Sequence, residues 1–377
     1  MTKTIHTFQR FTALDVFRGL TVCFMIIVNT SGNGDTTYWP LKHADWNGFT
    51  PTDLVFPSFL FAVGNALSFA TKGWQTMKQS EVLLKILKRT FLIFLIGYLM
   101  YWFPFFKLDA QSHLILSPIS HTRILGVLQR IALCYGISAL LVYYLGTRKT
   151  VWVGVASLLL YWVLLLVFGE SGAEFSKHGN AVLHFDTWFM GVNHLYRGEG
   201  FPFDPEGFMS TIPALFNVIT GYAVGRFLQE NGKNRKGILQ LIAAGAVFVL
   251  IASMWNELMP INKKLWTSSF ALLTVGLDCI LLAVIVYLID FLGLKKSTHF
   301  FLITGKNPLL IYLLSELGVT VMFLITIGNE SLFRWLYSHV FVHAGDYFGA
   351  FLFSVWWMLT CWFVGYLLDR KKIYIKI

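Results

Sequence analysis

Ten apolar stretches dominate this sequence, at 13–29, 52–71, 86–104, 124–145, 151–168, 209–229, 238–256, 267–291, 299–326 and 348–368. A helix needs about 20 mostly apolar residues to cross the hydrocarbon of a bilayer, and these runs are close to that length. Backbone N–H and C=O groups find no water at that depth, so a run of this kind is expected to be helical. The chain is therefore read as an all-α integral membrane protein. It is expected to be a polytopic bundle of about ten transmembrane helices, forming one domain over residues 1–377. Composition agrees: 13% of residues are charged, whereas soluble domains average about 25%. No period of about 20–50 residues recurs, which speaks against a repeat array.

The formal net charge of +10 would suggest nucleic acid in a soluble protein, but its distribution explains it otherwise. With the N-terminus inside, the inner segments carry twenty of the thirty Lys and Arg residues and the outer segments eight, while Arg18 and Arg130 fall within spans. Such asymmetry fixes both termini in the cytoplasm, and no nucleic-acid partner is expected. Lys3 and Arg10 ahead of an apolar run resemble a signal peptide. However, Asp15 and Arg18 interrupt that run and no small-residue cleavage site follows, so it is read as a retained first helix. Cys23, Cys134, Cys279 and Cys361 all lie in apolar stretches and read as small buried residues rather than disulfides.

Several familiar chemistries lack their motifs. The sequence has no GxxxxGK[ST] phosphate loop, no GxGxxG on a strand–helix turn and no Gly-x-Ser-x-Gly elbow. ATP hydrolysis, nicotinamide chemistry and ordinary serine hydrolysis are unsupported. His339 and His343 have a helical metal-ligand spacing but no acidic ligand beside them, so no metal is expected.

Polar side chains at membrane depth usually face a bundle interior. Asp15 and Arg18 share a helical face as an ion pair or a ligand anchor. Arg130 is expected to pair with a buried acid, Asp278 or Glu316. Asn29 ends the first stretch, fourteen residues before His43, so a returning loop can bring the two together. His43 lies between the first two spans with Asp45, Asn47 and Asp53 nearby, where an imidazole can take a proton near neutral pH. The outer loop 169–208 is long enough to be functional and holds His184, Asp186, His194, Arg197, Glu199, Asp204 and Glu206.

"LDVFRGLTVCFMIIVN" followed by "HADWNGFTPTDLVFPSFLFAVG" resembles the opening spans of the heparan-alpha-glucosaminide N-acetyltransferase family. The likeness continues in order through "RILGVLQRIALCY", "DPEGFMSTIPALFNVITGYAVGR", "PINKKLWTSSFAL", "GKNPLLIYLLSE" and "DRKKIYIKI". It implies acetyl transfer from cytosolic acetyl-CoA, as co-substrate, to a glucosamine or other amino sugar across the bilayer. It also implies a bacterial inner-membrane protein, a homodimer, with its active-site histidine on the periplasmic side. The family's essential histidine falls on His43 and its important asparagine on Asn29.

That chemistry suits the residues. A protonated amine is no nucleophile, and a His base of pKa about 6.5 can remove its proton during attack on a thioester. Asn29 would support the oxyanion or the ring, and Asp45 or Asp53 would hold the ring's other nitrogen. Direct transfer is preferred over an acetyl-histidine intermediate. Arg18, Arg89, Arg130 and Lys306 are the cations expected to meet acetyl-CoA, with Lys88 and Arg226 as further candidates near the inner face. The Asn29–His43 spacing is three residues longer than in the animal enzymes, through "TSGNGDTT". A transporter or flippase using the buried charges is the alternative reading.

Overall fold

The computed structural model describes residues 11–108, 113–231, 234–294 and 298–375. Lys3, Arg10, Lys233, Lys295, Lys296 and Lys376, all part of the inner charge, lie outside the described residues. The helices are α1 (Thr12–Asn29), α2 (Val55–Trp74), α3 (Gln79–Trp102), α4 (Val127–Phe168), α5 (Ala181–Met190), α6 (Thr211–Asn231), α7 (Arg235–Trp255), α8 (Ser268–Val286), α9 (His299–Lys306), α10 (Pro308–Leu324), α11 (Leu332–Leu336) and α12 (Asp346–Arg370). Two short antiparallel strand pairs, Phe106–Leu108 with Leu114–Leu116 and Thr326–Ile327 with Glu330–Ser331, and several short 3-10 and π segments accompany them.

Helices cover all ten apolar stretches. Among the described residues six helices are long and apolar enough to cross a membrane, or seven if the bent pair α9–α10 counts as one span. The chain is thus a multi-pass membrane protein. Two expected spans, 124–145 and 151–168, are the halves of the single long α4. Its backbone breaks at Gly146, where φ is +70°, a conformation that glycine adopts without a steric penalty. The stretch 299–326 is likewise broken, by 82° between Lys306 and Pro308. Proline has no N–H to give the preceding turn and disfavours helical geometry in the residue before it. α3 and α6 fall outside the six because polar residues dilute them: Lys85, Lys88 and Arg89 in α3, and Asn217, Thr220 and Arg226 in α6.

Packing is built on small residues and aromatic wedges. Phe17, Phe61, Trp266, Phe270 and Phe353 are fully buried, and Trp266 takes the edges of Phe56 and Phe270 at 5.2 and 5.3 Å. α2 and α6 approach closely along their backbones. A Cβ at Gly64 would stand 1.9 Å from the Val218 carbonyl oxygen, and one at Gly221 would stand 2.1 Å from that of Phe61. In lipid, where helices gain little from burying apolar surface, such close backbone approach is a main source of association. Gly64→Ala is expected to force the two helices apart and cost about 1–3 kcal/mol. The measurement is thermal unfolding in detergent, and an unchanged midpoint would contradict the close packing.

Candidate active site

The site forms where α1 ends and α2 begins. Thr50 and Asp53 make a reciprocal capping box around the 3-10 turn Pro51–Leu54 that leads into α2. The Asp53 carboxylate is sealed from solvent, and its Oδ2 accepts the backbone N–H groups of Thr50 at 2.9 Å and Ala44 at 3.2 Å. Its Oδ1 lies 2.7 Å from His43 Nδ1. An ionised carboxylate only accepts, so Nδ1 carries the hydrogen and Nε2 presents a lone pair. Thr50 Oγ1 donates to the Lys42 carbonyl and Thr52 Oγ1 to that of Pro40, which clamps the His43 loop onto the turn. The imidazole side chain is 43% exposed while its partner is at 0%, so the ring is reachable and its anchor is not. Of the two acids considered from the sequence, Asp53 holds the ring. Asp45 is exposed, and its backbone carbonyl accepts from Lys264 Nζ at 2.8 Å.

The loop before α8 supplies a neighbour that sequence reasoning missed. Gly48 N–H donates to the Ile261 carbonyl, and Asn262 Nδ2 donates to Asn47 Oδ1 at 3.0 Å. This stitching brings Lys263 Nζ to 3.1 Å from both ring nitrogens of His43 and 4.0 Å from Asp53 Oδ1. The two are 220 residues apart in sequence. The available signal was a Lys–Lys pair on the face that the positive-inside pattern leaves poor in cations. Burial, and then the Lys263 charge, pull the imidazole below its usual 6.5, against Asp53 and Glu206, which favour the protonated ring.

Glu206 belongs to a second cluster at the same end. Arg123 Nη2 donates to Asp204 Oδ1 and Glu206 Oε2, both at 2.6 Å, and its guanidinium lies over the rings of Tyr101 and Tyr196. Burial opposes ionisation of Glu206, but Arg123, Arg130 and Lys263 together hold its carboxyl below the usual range. Lys264 is ion-paired with Glu199. Asn29 makes no hydrogen bond to His43 among the described residues. Its Nδ2 donates instead to Glu316 Oε1 at 3.3 Å. Glu316, Arg123 and Glu206 all lie within electrostatic range of Tyr101.

Arg130 reaches neither Asp278 nor Glu316, which corrects the pairing expected from the sequence. Its guanidinium donates to the Gly207 carbonyl and Ser210 Oγ, and stacks 5.0 Å from the Trp266 ring. Each acid already has another partner: Ser58 donates to Asp278 at 2.5 Å, and Glu316 takes Asn29. At the opposite end of α1, Arg18 is bonded to Asp15 and to the Gly305 carbonyl, as the ion-pair expectation required. Lys306 pairs with Asp369 at 2.6 Å. Arg89 lies 4.6 Å from the Tyr135 ring centroid. The four cysteines are buried and free. Among the described residues, no three His, Cys, Asp or Glu side chains gather as a metal site.

Beneath the dyad lies an apolar cavity of about 440 Å³. It follows α1 from Leu20 to Ile27, meets Phe300 and Phe301 of α9, and ends against Pro51 and Leu54 of the turn that carries Asp53. Ser58 is among its few polar lining residues.

Comparison with known proteins places the chain among one set of relatives. The chain is 26% identical to the mouse (Mus musculus) heparan-alpha-glucosaminide N-acetyltransferase, over 98% of this chain and 61% of that protein. It is 27% identical to the human (Homo sapiens) protein of the same name, over 98% and 60%. It thus spans about three fifths of the length of these relatives. A protein-family model described as heparan-alpha-glucosaminide N-acetyltransferase, catalytic, matches residues 10–261, a stretch that takes in Asn29, the His43–Asp53 dyad and the Arg123 cluster, and the chain belongs to that family.

Proposed function

We propose that this chain is a transmembrane N-acetyltransferase with His43 as general base. It moves acetyl from cytosolic acetyl-CoA to the amine of a glucosamine-type sugar on the extracytoplasmic side of the membrane. The carrying observation is the sealed Asp53 carboxylate bonded to His43 Nδ1, which leaves Nε2 as a reachable proton acceptor in a member of an N-acetyltransferase family. In this reading all ten apolar stretches cross the membrane, both termini are cytoplasmic, and His43 faces the periplasm of a bacterial cell.

The amine nitrogen attacks the thioester carbonyl carbon as its proton passes to His43 Nε2. The C–N bond forms, the tetrahedral carbon collapses with loss of the C–S bond, and the imidazolium returns the proton to the departing sulfur. Asn29 Nδ2 has a second hydrogen beyond the one given to Glu316, and donates it to the developing oxyanion. The apolar cavity that ends beneath the Asp53 turn supports a route for the pantetheine arm. Arg18, Arg89 and Lys306, at the opposite end of the bundle, are the cations for the CoA phosphates. Arg130 supports the loop that bears Glu206. The transporter alternative is the weaker reading, because Arg130 Nη2, Asp278 Oδ1 and Glu316 Oε1 are each bonded within the fold.

The test is acetyl transfer by the purified full chain, with acetyl-CoA and glucosamine as substrates. Thiol release matched by N-acetylglucosamine is expected, and its absence would overturn the reading. Trapping of an acetyl-imidazole at His43 would replace direct transfer by a two-step route.

A further inference from the structure

We propose that Lys263 is a positioning residue for the base: its ammonium, set against the His43 ring, holds the imidazole in its neutral, proton-accepting form against the pull of Asp53. The inference rests on the reading of His43 as base and concerns what keeps that base usable.

A buried carboxylate on one ring nitrogen favours the imidazolium, which has no lone pair to offer an amine. Something must offset that charge. Three charged groups face the ring from the elements packed around it: Asp53 from the turn before α2, Glu206 from the loop before α6, and Lys263 from the loop before α8. Two of the three are acids, so among the described residues Lys263 is the cation that faces the ring. Other cations nearby are engaged elsewhere, Lys264 with Glu199 and Lys42 with the Asp35 carbonyl.

The geometry also leaves the base free. The lone-pair directions of Nδ1 and Nε2 diverge within the ring plane, so an ammonium 3.1 Å from both cannot lie along either. It acts on the ring through its charge and leaves Nε2 open to substrate. Asp53 at 4.0 Å and the Asn47–Asn262 stitch help to hold it in place.

The experiment measures the ring pKa of His43 by NMR of histidine-labelled full chain in detergent, with His43→Ala to assign the signal, alongside the pH dependence of kcat/KM. In the wild type the ring is expected to titrate below the ordinary 6.5 of histidine. Lys263→Met should move both the titration and the acid limb of the rate profile upward by about one unit or more. The rate on the alkaline plateau should stay within a few-fold of wild type. Lys263→Arg, which keeps the charge, should restore both. A wild-type ring pKa at or above the ordinary value would overturn the proposal even if the Met variant failed to fold. So would an unmoved titration in Lys263→Met, or an upward shift that Lys263→Arg does not correct. The NMR readout needs no turnover: a protein inactive on every amine would refute the acetyltransferase reading while the titration still judged Lys263.

Discussion

His43→Ala is expected to lower acetyl transfer to glucosamine by about 10²–10⁴-fold, the range typical of a lost general base. Acetyl-CoA binding should be little changed, because the ring is assigned to the proton and not to the nucleotide. Removing a partly exposed ring at the mouth of the site leaves α2 and its capping box in place, so thermal unfolding should stay close to wild type. Initial rates in proteoliposomes, with acetyl-CoA supplied on one side and amine on the other, check the result. Wild-type rates in the variant would remove His43 from the mechanism.

Asp53→Asn is expected to be nearly as damaging, about 10²–10³-fold in kcat, although the side chain is nearly unchanged in shape. An amide cannot accept from Nδ1–H and from two backbone N–H groups as a carboxylate does. If its oxygen keeps Thr50 and Ala44, its NH₂ faces the ring, and the imidazole must turn its lone pair toward Nδ1. Nε2 then carries the hydrogen and cannot receive one from the amine. Comparing kcat with the affinity for acetyl-CoA separates this loss from misfolding. A variant running near the wild-type rate would show that the tautomer is set by another group.

The membrane-embedded architecture was legible because apolar run length is a local property. The stretches 13–29, 238–256 and 348–368 could be read without knowing any partner, and each is a helix in the structure. Breaks were less legible. Nothing local distinguished a loop at 146–150 from one long helix with a single left-handed glycine. At the site, His43 and its two candidate acids were visible from proximity in sequence. The choice between Asp45 and Asp53 needed the capping box, which turns one carboxylate inward. Lys263 and Glu316 were out of reach for a different reason. Their contacts with His43 and Asn29 close loops of 220 and 287 residues, and no periodicity encodes such contacts. The expected partners of Arg130 failed because charge complementarity was weighed without the backbone carbonyl, hydroxyl and aromatic face that the guanidinium meets instead.

Two spans whose main chains touch cannot slide past one another without colliding. The interlocked glycines Gly64 and Gly221 therefore weld α2 and α6 into one body. His43 and Asp53 sit at the entry to one member of that body, and the loop of Glu206 leads into the other. Their separation is thus set by the contact between those two helices.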